Sequence, residues 1–123
     1  MTIFLLIVFG ALGTLARYGL QGLVQARAGA TFPTGTLVVN LSGCFVMALV
    51  ARYAFDHLWI PPHWRVALTI GFFGAFTTYS TFSWESVRML EDGEWARASA
   101  YVLISFVGGF AATALGIYLG HRI

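Results

Sequence analysis

Four apolar stretches of roughly 20 residues each, at about 3–25, 35–55, 66–90 and 98–120, take up nearly the whole chain. In lipid no water is at hand to satisfy backbone N–H and C=O groups, so segments of this length and apolarity cross a bilayer as helices. Composition agrees: 59% of residues are hydrophobic, only 10% are charged and the mean hydropathy is +0.79, whereas charged residues make up about a quarter of a soluble domain. The intervening breaks carry turn chemistry, with Gly29 and Pro33 in the first, Pro61 and Pro62 in the second and Gly93 in the third. Trp59, Trp64 and Trp95 fall in or beside these breaks, where an amphipathic ring prefers the headgroup level. The expectation is an all-α membrane protein, one transmembrane domain over 1–123, multi-pass in the cell (inner) membrane with lipid around it.

The run from Ile3 to Ala16 has the length of a signal-peptide core, but no basic residue precedes it and apolar character resumes after Arg17 through Leu23. It reads as a first span. The seven basic residues are all Arg and the acids number five; a net charge of +2, scattered along the chain, makes no nucleic-acid surface. Cationic side chains favour the cytoplasmic side, yet Arg52, Arg65 and Arg122 fall on one side and Arg17, Arg27, Arg88 and Arg97 on the other. So even a distribution leaves insertion unspecified. A chain that inserts both ways can form an antiparallel, dual-topology dimer.

Helix association in lipid depends on close backbone approach, and the spans are rich in small residues. In the fourth span Gly108, Ala112, Gly116 and Gly120 recur every four residues and predict a flat contact stripe. One residue further round, Tyr101, Ser105, Gly109 and Thr113 form a second stripe that could line a wet path.

The segment Thr77-Thr78-Tyr79-Ser80-Thr81-Phe82-Ser83 places six hydroxyls in seven residues near the middle of the third span. Ser and Thr compete for backbone hydrogen bonds, so the run predicts a break in the helix. Irregular backbone at membrane depth occurs only where it is buried in protein or lines a cavity. The alternative is an unbroken helix whose hydroxyls bond back to their own carbonyls.

The run GFFGAFTTYSTFSWE, residues 71–85, resembles the signature of the Fluc (CrcB) fluoride channels. GTLARY at 13–18 resembles that family's first-helix Gly/Arg segment, and PTGTLVVNLSG at 33–43 its P-x-G-T-L-x-V-N-L-x-G stretch. The resemblance covers essentially the whole chain. It implies a dual-topology, antiparallel homodimer of four-span subunits with two pores, passive export of fluoride that lowers its toxicity, and a structural Na+ at the dimer centre. Carried residue by residue, it implies sodium held by the backbone carbonyls of Gly74 and Thr77. It also implies an anion pathway of Asn40, Tyr79, Ser80, Thr81, Phe82, Tyr101 and Ser105. No organic cofactor is implied.

Fluoride is small and strongly hydrated, so a pore has to replace its water with donors without a full positive charge that would trap it. Hydroxyls and amides serve, and aromatic edges add weakly electropositive contacts. Weak contacts at several places permit both entry and exit. Two positions depart from the family pattern: the first ring of its phenylalanine pair is Tyr79, and Gly109 stands where a serine is common.

Arg17 lies inside the first span, where a central arginine costs about 2.5–3.5 kcal/mol on the insertion scale, so it must snorkel or find a partner. The functional reading is an electropositive vestibule. Glu85 could neutralise a cation or anchor the helix at the interface. His57, His63 and His121 read as solvated groups and Cys44 as a small buried hydrophobe, with no spacing for a metal site. Neither a carboxylate pair nor a nucleophilic triad is present in the spans, so an enzyme is not expected.

Two rivals remain. A small multidrug exporter also has four short spans, but cation/proton exchange needs a membrane carboxylate, typically in the first span, which here has Arg17 and no acid. A packing subunit explains the small stripes and not the six hydroxyls beside paired aromatics.

Overall fold

A computed structural model describes all residues, 1–123. Helix α1 (Thr2–Ala28), helix α2 (Thr34–Asp56) and helix α6 (Trp95–Arg122) are unbroken and apolar enough to cross a membrane. The third span is composite. It runs through α3 (Pro62–Val66), a π-helical stretch (Ala67–Phe73) and α4 (Gly74–Phe76), breaks at Thr77 and Thr78, and resumes as α5 (Tyr79–Glu91). The four expected spans are therefore present, and the break falls within the hydroxyl run. The chain is a multi-pass, all-helical membrane protein.

Local chemistry sets the ends. Proline at the first position of α3 loses no helical hydrogen bond, because that N–H has no intrahelical partner in any case. At the end of α5, Gly93 takes φ 77°, Glu94 N–H reaches the Met89 carbonyl and Gly93 N–H the Leu90 carbonyl. Only glycine enters this left-handed turn without a Cβ penalty. Helix α2 has no side-chain cap of its own. Gln25 of α1 supplies it, accepting the Gly35 N–H at 3.0 Å while its amide donates to the Phe32 carbonyl at 2.8 Å.

Packing follows the glycines. Gly116 lies against the Phe45 carbonyl and Ala48 of α2, and a Cβ on Gly120 would stand 2.6 Å from the Leu49 carbonyl. The predicted stripe of α6 is thus its contact with α2. On the other side Gly13 of α1 admits the Phe72 carbonyl of the π stretch, and Gly71 faces Phe9 and Gly10. The π stretch was not foreseen; it sits where two glycines let the backbones of α1 and the third span meet.

Only 19 of 123 residues are buried in the single subunit. Large apolar side chains on α1 and α6, such as Phe4, Leu15, Phe106 and Phe110, point outward, as lipid or a further helix surface requires. Trp59 and Trp95 are exposed at span ends, in keeping with an interfacial belt.

Candidate ion pathway

A helix broken at membrane depth exposes backbone groups that lipid cannot satisfy. Here three side chains do so. Asn40 of α2 accepts the Thr78 N–H at 2.7 Å and donates to the Thr78 carbonyl at 3.0 Å. Thr78 caps α5, its hydroxyl oxygen accepting the Thr81 N–H at 3.2 Å, an arrangement worth about 1 kcal/mol. Arg17 of α1 donates from Nε to the Ala75 carbonyl at 3.0 Å, placing its charge at the carbonyl end of the helical run 62–76, where a helix dipole favours a cation. Arg17 therefore has a partner inside the protein, and it lines neither of the two openings described below. The contact it makes joins α1 to the broken span.

The carbonyls of Gly74 and Thr77 accept no turn, cap or side-chain hydrogen bond. Thr77 turns its hydroxyl back to the Phe73 carbonyl at 2.9 Å. Its methyl abuts Gly43, whose missing Cβ leaves the room.

Beside the break lies a crevice of about 340 Å³ between α2, the break, α5 and α6. Asn40, Cys44, Thr77, Thr78, Tyr79 and Phe82 form one wall, and Ser105, Phe106, Gly109, Phe110 and Thr113 of α6 the other. Tyr79 and Phe82 are tilted at 50° with centroids 6.0 Å apart, and Phe106 and Phe110 meet edge to face at 5.0 Å. The Ser105 hydroxyl is buried with no partner, as is that of Tyr101, which lies beyond the crevice packed on Phe82 at 5.2 Å and Phe32 at 5.6 Å. Such buried, unpaired hydroxyls are rare and call for a water or an ion.

A second, more polar opening of about 660 Å³ is lined by Gln21, Gln25, Thr36, Glu85, Arg88 and Arg97 among others. Within it Gln21 Nε2 donates to Thr36 Oγ1 at 3.2 Å, and the Thr36 hydroxyl donates to Glu85 Oε1. The Tyr101 phenol lies beside Thr36 and Glu85 without a hydrogen bond of proper geometry. Glu85 thus ties α5 to α2. Phe82 lines the crevice, and Tyr101, packed on it, lies beside two residues of the polar opening, Thr36 and Glu85.

Comparison with known proteins matches residues 4–117 to the family described as CrcB-like protein, Camphor Resistance (CrcB). The chain belongs to the CrcB family. A fluoride-specific ion channel FluC from Geobacter metallireducens is 49% identical over 123 residues, covering 100% of this chain and 99% of the relative. The FluC of Geotalea uraniireducens is 47% identical over 122 residues, 99% and 98% of the two chains. That of Nitratidesulfovibrio vulgaris is 43% identical over 121 residues, 98% of each.

Of the pathway residues expected from the CrcB resemblance, Asn40, Tyr79, Phe82 and Ser105 meet in the crevice. Ser80 and Thr81 do not line it; their hydroxyls lie 3.4 and 2.9 Å from that of Thr78, around the cap. Sequence reasoning missed Thr36, Thr78 and the Phe106–Phe110 pair. The i, i+4 spacing of the two phenylalanines, one residue beyond Ser105 and Gly109, was the available signal for that pair. His57 is not simply solvated: its ring stacks on Tyr53 at 4.0 Å. His121 contacts Asp56 at 3.0 Å, as does Arg52.

Proposed function

We propose that this CrcB-family protein is a fluoride-selective ion channel that exports fluoride passively across the cell membrane and so lowers its toxicity. The observation that carries the reading is a crevice walled by amide, hydroxyl and aromatic groups, with the buried, unpartnered hydroxyl of Ser105 in its lining and that of Tyr101 behind Phe82. Relatives spanning the same length bear the name of fluoride-specific channels. The anion pathway runs past Asn40, Tyr79, Phe82 and Ser105, with Tyr101 behind Phe82 and with Ser80 and Thr81 at the α5 N-terminus. The second amide hydrogen of Asn40 remains available as a donor. Helix N-termini favour anions as well, and α5 begins at the break. The protein is a conduit and not an enzyme.

The working unit is an antiparallel homodimer. Tyr79 is 81% exposed and Gly74 and Ser80 also face outward at the depth of the break, so the pathway's own residues look for a second wall. A copy inserted in the opposite sense supplies one, in keeping with the even arginine distribution. A structural Na+ fits the Gly74 and Thr77 carbonyls, which are hard oxygen donors left without hydrogen-bond partners. When bound there it would add fixed positive charge at the centre of the dimer. Arg17 and Glu85 brace the helices around these features.

The test is efflux from liposomes containing the purified protein, loaded with fluoride or with chloride. Rapid fluoride release with little chloride release is expected. Release of neither ion overturns the channel reading.

A further inference from the structure

Gln21 of α1 belongs to none of the motifs that the channel reading uses, yet it starts a relay that ends on the Glu85 carboxylate. Its Nε2 donates to Thr36 Oγ1 at 3.2 Å, and the Thr36 hydroxyl donates to Glu85 Oε1. A threonine hydroxyl has one proton and two acceptor sites. With the amide occupying an acceptor site, the proton is directed to Glu85, and each bond polarises the next.

The position of Gln21 is fixed from behind. Gly35 of α2 packs on it so closely that a Cβ there would lie 3.1 Å from Gln21 Cγ and collide with the Gln21 carbonyl. Thr36 is only 1% exposed, so bulk water does not stand in for a lost donor. Helices α1, α2 and α5 are thereby joined by one chain of polar contacts.

The consequence concerns an anion entering the polar opening, which Gln21, Thr36 and Glu85 line. A carboxylate on that route repels fluoride unless its charge is partly neutralised by a donor and its side chain is held to one wall. Thr36 does both, provided its hydroxyl is oriented. We propose that Gln21 is a positioning residue for conduction: it orients the Thr36 hydroxyl so that Glu85 stays against α2 and leaves the opening clear for fluoride. The proposal rests on the channel reading above.

Gln21→Met keeps length and volume and removes the donor. Fluoride efflux from liposomes should fall about threefold to tenfold, with the dimer unchanged by size-exclusion chromatography, and Gln21→His, which retains a ring N–H, should recover part of it. In a Glu85→Gln background the same Gln21→Met change should have little further effect, because no charge remains to be held; equal effects in both backgrounds overturn the relay and indicate a packing role. Independently of flux, the Glu85 carboxylate stretch, assigned from the infrared difference between the parent and Glu85→Gln, should shift in Gln21→Met. An unmoved band overturns the proposal even where Glu85→Gln itself passes no fluoride. A parent protein that releases no fluoride sinks the channel reading instead, whereas a conducting parent with an unaffected Gln21→Met sinks only the role of Gln21.

Discussion

Asn40 holds Thr78 by both of its backbone groups, accepting the N–H at 2.7 Å and donating to the carbonyl at 3.0 Å across 38 positions of sequence. The two bonds do locally what a strand ladder or a helix turn does elsewhere, and they make a break at membrane depth tolerable.

Asn40→Asp keeps the acceptor and loses the amide donor, leaving the Thr78 carbonyl without this partner. An unsatisfied buried group costs about 1–3 kcal/mol. Thermal unfolding in detergent should show a clear loss of stability, and fluoride efflux should fall at least tenfold because the same amide lines the crevice. Unchanged unfolding would mean that the break is held by other contacts.

Gly43 and Gly109 offer opposite outcomes for the addition of one small side chain. A Cβ on Gly43 collides with the Thr77 methyl and stands 3.1 Å from Phe76, so Gly43→Ala should displace the break, destabilise by about 1–3 kcal/mol and lower flux strongly. A Cβ on Gly109 meets only Cys44 Sγ at 3.8 Å. Gly109→Ser should fold normally and add a hydroxyl to the crevice, altering fluoride flux without loss of dimer. Comparable destabilisation of both variants would count against this packing.

Arg17→Met removes the charged donor to the Ala75 carbonyl, a class of bond worth about 1.5–3 kcal/mol. Arg17→Lys retains the charge and loses the fixed planar fork. Stability should order as parent, lysine variant, methionine variant in a detergent melt. Were Arg17 a vestibule charge only, both variants would keep parental stability and differ in the dependence of flux on ionic strength.

Exchange of sodium tests the cation proposed for the Gly74 and Thr77 carbonyls. Because the proposed ligands are backbone carbonyls, Thr77→Val should leave sodium binding intact, whereas prolonged equilibration in sodium-free buffer should lower the melting temperature and the flux, both recovering on return of sodium and not of a large organic cation. Full activity after complete exchange would remove the ion from the proposal.

The broken third span was legible because Ser and Thr crowd a single segment, a signal that is local in sequence. The glycine stripe of α6 was legible for the same reason, since its period of four residues specifies one face. What the sequence did not disclose is non-local. The partner of Arg17 lies 58 positions away, and the π stretch ALTIGFF carries no breaker but Gly71; its form is tied to Gly13 on α1. Counting hydroxyls also did not say which way each points. Thr78 draws Ser80 and Thr81 into the helix cap, while Thr77, Thr78 and Tyr79 are the ones that line the crevice.

Phe82 lines the crevice, its ring centroid 6.0 Å from that of Tyr79 and 5.2 Å from that of Tyr101. On the proposed pathway the ion passes Phe82, and an aromatic edge carries the positive part of the ring quadrupole. Phe82→Ile retains most of the apolar volume and takes away that edge. A roughly volume-conserving apolar swap costs less than about 1.5 kcal/mol, so the dimer should persist on size exclusion and in a detergent melt. Fluoride efflux should nevertheless be abolished, because a branched alkyl group offers the ion no electropositive contact in exchange for its water. Phe82→Tyr, which keeps the ring, should conduct. If Phe82→Ile released fluoride at the parental rate, the route would lie elsewhere and Phe82 would be left as a packing partner of Tyr101 alone.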